Sequence, residues 1–70
     1  MKTNKQVIKE LKAERDEIND RSADLIGFIS SVNSQKLSKN QQGLIREQAS
    51  VMHEYTGILT ERIVDLMSSL

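Results

Sequence analysis

Seventy residues allow one domain at most. Ten Lys and Arg balance ten Asp and Glu, so the net charge is zero, which argues against a dedicated duplex-DNA binder. Cysteine and proline are absent, so a disulfide framework and a thiolate zinc site are excluded.

The start, Met1 to Gln6, is basic and runs into Val7-Ile8. That apolar run is too short for a signal peptide, and no stretch is long enough to span a bilayer. A cytoplasmic protein with no membrane contact is expected. Thr3 and Gln6 form a capping-box pattern, so helix 1 is expected from about residue 4 to 32. Its apolar stripe is Ile8, Leu11, Ile18, Leu25, Ile29 and Val32. Asn33 is a candidate left-handed stop, and residues 33–38 form a polar break. Ser38 with Gln41 repeats the capping pattern, which predicts helix 2 over about 39–69. Its stripe is Ile45, Ala49, Met52, Leu59, Ile63, Leu66 and Leu70.

The fold class is therefore all-α, a long antiparallel two-helix hairpin with helices of ~45 Å. Folding the chain at residues 35–36 pairs Leu25 with Ile45, Ser22 with Ala49, Ile18 with Met52, Arg15 with Thr56, Leu11 with Leu59, and Ile8 with Ile63. Below roughly 70–80 residues a single core rarely supplies more than ~3–5 kcal/mol. Helix 2 also carries a second stripe, Leu44, Val51, Tyr55 and Ile58. A face this wide meets more than one neighbour. A homo-oligomeric bundle is expected, with those four residues and Phe28 at the interface. Gly27 and Gly57 lie inside helices at a cost of ~1 kcal/mol each relative to Ala. Either they permit a close crossing or a ligand's approach, or they are tolerated substitutions.

Arg15 occupies a seam position, where a buried guanidinium needs a partner. It can hold a phosphate or carboxylate, or it snorkels outward or pairs with an acid. Tyr55, Ile58 and Arg62 share one helix edge, and an aromatic beside an arginine suits either a base and phosphate or a protein interface. His53 is the only histidine, so zinc is not expected, and it reads as a surface or interface residue. The acids Glu14, Asp16, Glu17, Asp20 and Asp24 lack the spacing of a calcium loop. No nucleophile elbow or phosphate-binding glycine loop is present, so neither catalysis nor a cofactor is expected.

Phe28-Ile29 near the end of helix 1, then Gln48, Met52, Tyr55, Ile58-Leu59 and Arg62-Ile63, form a pattern that covers most of the chain. It resembles a family of short phage and prophage proteins related to a small crAss-like phage protein. The basic start, Lys2, Lys5, Lys9 and Lys12, departs from that family's more acidic helix 1. The resemblance implies a non-enzymatic phage accessory protein. In outline the hairpin is also similar to anti-CBASS and anti-Thoeris sponge proteins, which trap cyclic nucleotides or ADP-ribose derivatives between subunits. That likeness implies a self-associating, anti-defence protein with Arg15, Tyr55, Arg62 and His53 as ligand-binding residues. The rival expectation is an inhibitor or adaptor that binds a host defence protein through the apolar face of helix 2. A purely structural spacer is a further alternative. Nucleic acid is not an expected partner.

Overall fold

Thr3 starts the first helix by closing a complete capping box. Its hydroxyl accepts from the Gln6 N–H at 3.2 Å, and the Gln6 side chain accepts from the Thr3 N–H at 2.8 Å. The computed structural model describes all residues, Met1–Leu70. Helix α1 runs Asn4–Ile29, a 3-10 turn spans Val32–Lys36, and helix α2 runs Lys39–Met67. The Ser38 hydroxyl caps α2 by accepting from the Gln41 N–H at 3.1 Å.

Helix α1 ends three residues earlier than its apolar pattern predicts. The Ser30 hydroxyl donates to the Ile26 carbonyl at 3.2 Å, and the Ser31 hydroxyl to the Phe28 carbonyl at 2.6 Å. Such back-bonding offers the chain an alternative to further helix. Val32 is consequently carried out of the seam and is exposed. Asn33 is not a left-handed stop, because no residue outside glycine has a positive φ. The break is instead the 3-10 turn. The Ser34 hydroxyl lies 2.9 Å from the carbonyls of both Ile29 and Ser31, and the Gln42 amide donates to the Leu37 carbonyl at 2.9 Å. Helix α2 ends at Met67, and Leu70 is exposed beyond it.

The two helices pack side by side along a rod of 49 × 18 × 14 Å. The seam follows the expected positions. Ile8, Leu11, Leu59 and Ile63 form one buried cluster, with Val7 and Leu66 packed against it. Ile18, Leu25, Ile29, Ile45 and Met52 are half-buried. The buried cluster sits at the open end of the hairpin, away from the turn. Thr56 is buried too, and its hydroxyl donates to the His53 carbonyl at 2.9 Å, so it leaves no polar demand unmet.

Only four apolar residues are buried, whereas Leu44, Val51 and Ile58 on α2 are about half exposed. No helix is long and apolar enough to cross a membrane.

Leu59 is 1% exposed at the centre of the cluster. Leu59→Ala is expected to cost ~2–5 kcal/mol, and Thr3→Ala ~1 kcal/mol through the lost cap. Urea denaturation followed by circular dichroism measures both. A Leu59→Ala loss no larger than that of Thr3→Ala would contradict the seam.

Candidate functional site

Two residues apart on a helix lie ~200° apart, on opposite sides. Seven residues apart lie within ~20°, on the same side. These two rules, with two side-chain pairs, sort the exposed residues onto the two broad faces of the rod.

The Tyr55 hydroxyl donates to the Glu14 carboxylate across the hairpin, which places both on one face. That face is called the front. Arg62 lies seven residues beyond Tyr55 and shares it. Val51, Ile58 and Gln48 follow at helical spacing from Tyr55, and Arg21 and Phe28 at heptad spacing from Glu14. A groove of about 370 Å³ on this face is lined by Arg21, Asp24, Leu25, Phe28, Gln48 and Met52. The stripe Leu44, Val51, Tyr55, Ile58 and the ring of Phe28 are all exposed here. They form one surface, with Leu44 and Phe28 toward the turn.

The opposite face is the back. Asp16 lies two residues after Glu14, and His53 two residues before Tyr55, so both face backward. Arg15 leans out to Asp16, with Nε and Nη2 each 3.4 Å from the same carboxylate oxygen. Its side chain stays 28% exposed, so the seam arginine snorkels toward the back and does not seek Thr56. Arg62 is exposed and makes no ion pair.

A single hairpin therefore brings Tyr55 and Arg62 together on the front, and Arg15 and His53 together on the back, but not the two pairs with each other. All four nonetheless fall in one band along the rod. The Glu14–Tyr55 bond sets Arg15 level with Tyr55, and His53 to Arg62 spans ~14 Å of helix. A second, half-open pocket of about 10 Å³ beside Ile29, Ser34, Gln42, Ile45 and Arg46 holds no more than a water.

Sequence reasoning missed Glu14 as the partner of Tyr55, and Arg21 and Gln48 as groove residues. The signal was present in the register, which sets Glu14 beside Tyr55 and Arg21 beside Gln48 once the helical phase is added. The glycines also differ from one expectation. A Cβ at Gly27 or Gly57 would meet nothing within 4 Å, so no crossing inside the hairpin requires either.

A family model described as Sequestin matches residues 5–65, which takes in most of both helices and the whole turn. The chain belongs to the Sequestin family. No curated protein and no solved structure matches it.

Two predictions follow from the placement of these side chains. Gly57→Ala is expected to raise the stability of the hairpin by ~0.5–1 kcal/mol, read from its thermal midpoint, because the added methyl enters open space. A loss of stability would mean that something approaches this position closely. Tyr55→Phe is expected to cost ~0.5–1.5 kcal/mol through the bond to Glu14, and Glu14→Gln should cost no more.

Proposed function

We propose that this protein works by sequestration without chemistry. It self-associates and holds a nucleotide-type immune signalling molecule, a cyclic nucleotide or an ADP-ribose derivative, between subunits, and in this way counters a host defence. The observation that carries the reading is membership of the Sequestin family over residues 5–65, whose name is compatible with sequestering a molecule. The surface chemistry supports it. Arg62 is a free guanidinium fork suited to a phosphate, and Tyr55 beside it is a stacking surface held in place by Glu14. The half-exposed stripe of α2 supports self-association, because one hairpin leaves that apolar surface in water.

No enclosed cavity of one hairpin holds a nucleotide, which favours a site between copies. In this reading the protein is a phage accessory protein in the cytoplasm of its host.

A second reading rests on the same exposed stripe. Leu44, Val51, Tyr55 and Ile58 present anchors at the spacing with which a helix docks into a protein groove. A host defence protein then takes the place of the small molecule.

Native mass spectrometry of protein purified from a host with active defence systems separates the two. An oligomer carrying a few hundred daltons of extra mass per site is the expected result. Arg62→Ala is expected to lose that mass and keep the oligomer. A clean protein with no added mass, together with a stoichiometric host protein in the eluate, would overturn sequestration in favour of the second reading.

A further inference from the structure

The zero net charge conceals a separation of charge between the two faces. Lys12 lies two residues before Glu14, and Lys5 seven before Lys12, so both share the back with Arg15. Arg46 lies seven residues before His53, Lys39 seven before Arg46, and Lys9 seven before Asp16, so all three join them. Asp16 is the one acid set well onto this face. The front reverses the sign. Glu10, Glu14, Glu17 and Asp24 from α1, with Asp65 from α2, outnumber Arg21 and Arg62 there. Lys2 reaches Glu10 at 2.9 Å, and Arg21 reaches Glu17 at 2.7 Å, so part of the excess is compensated locally. Asp24 and Asp65 have no such partner.

Apolar surface lies on both faces. The front carries the stripe Leu44, Val51 and Ile58, and the back carries exposed Ile26, Val64 and Met67. A two-fold dimer joins like faces, because its interface is the same patch on both copies. Front to front sets acid against acid around the apolar stripe, and back to back sets base against base. Front to back sets unlike charges together and covers apolar surface on both sides.

We propose that copies of this chain stack front to back in the same direction, and that each junction builds a shared anion site. Tyr55 and Arg62 come from one copy, and Arg15 and His53 from the next. The second half rests on the sequestration reading above; the first half does not. Direct stacking lays Glu10 and Glu14 of one copy over Lys9 and Lys12 of the next. It also lays Tyr55 and Arg62 over the band that holds Arg15 and His53. The bound species is an anion with an aromatic base. One guanidinium from each copy grips phosphate, and the Tyr55 ring takes the base. Gly57 lies on the outer margin of the back in the same band, where its missing Cβ lets a second copy or a ligand approach.

Two variant pairs test this. In the first, Lys9→Glu, Lys12→Glu and Arg46→Glu together make the back acidic, and Glu10→Lys with Glu17→Lys makes the front basic. None of these residues belongs to the shared site. By native mass spectrometry each variant alone is expected to be monomeric where the parent is assembled, and an equimolar mixture to reassemble. A two-fold front dimer predicts the opposite for the first variant, whose front is unchanged. Persistence of its assembly overturns the stacking, as does a monomeric parent or one that assembles only on added DNA.

The second pair is Arg62→Ala and Arg15→Ala, probed with cyclic di-AMP and with ADP-ribose. Each alone is expected to lose binding by at least tenfold. Mixed in equal amounts, they are expected to regain about a quarter of the parent's sites, because a junction is intact when each copy supplies its remaining arginine. Retained binding by Arg15→Ala, or a silent mixture, overturns the shared site. A parent that binds neither probe and carries no cellular ligand overturns the sequestration reading and the shared site together. The charge-reversal result then still decides the stacking.

Discussion

Everything in this structure depends on one seam of interdigitating aliphatic side chains at the open end of the hairpin. Ile8, Leu11, Leu59 and Ile63 are the residues that leave water, and they fix how α1 lies on α2. Slipping the register would place Arg15 or Thr56 among them. The turn end is held differently. Ser34 and Gln42 tie the 3-10 turn to the neighbouring carbonyls, and the apolar seam there is only half-buried. Hydrogen bonds thus close one end of the rod and hydrophobic burial the other. The front groove opens between them, beside the small layer of Ser22 and Ala49.

A seam this narrow leaves the rest of each helix free to serve an outside surface. Tyr55 illustrates the division. Its backbone lies next to the buried Thr56, yet its ring stands on the front with its hydroxyl on Glu14. That bond lowers the ring's freedom before anything binds, which reduces the ordering cost of a stacked partner. Arg62 on the same side has no intramolecular partner. One residue is pre-set and the other is free to adjust, a combination that suits recognition of a planar group joined to a charged one.

Much of the fold was legible in the sequence because one physical signal set it. The 3–4 alternation of aliphatic residues located both helices and their register, and the Thr3–Gln6 and Ser38–Gln41 patterns located both starts. The end of α1 was not legible. Its apolar pattern continues to Val32, while the hydroxyls of Ser30 and Ser31 compete for the carbonyls that would extend the helix. The candidate site was legible only in part. Tyr55 and Arg62 share an edge by spacing within one helix. Placing Arg15 and His53 on the other face requires the phase of both helices and the direction in which a snorkelling side chain leaves the seam. Arg15 sits at the boundary, and only its approach to Asp16 decides the side.

The charge pattern carries the same lesson to the level of assembly. Composition reports zero net charge and so excludes a uniformly basic surface, yet it is blind to how charge is arranged. Long-range attraction between exposed charges fades within ~8 Å at physiological ionic strength. Separation of sign across a rod 14–18 Å thick therefore matters only at contact, where a neighbour's face lies within that distance. There it selects orientation more than it adds affinity. In the proposed stack the apolar stripes supply the drive to associate, and the charges decide which faces meet. In that proposal a chain with so little core draws on the first, and a ligand site divided between opposite faces draws on the second.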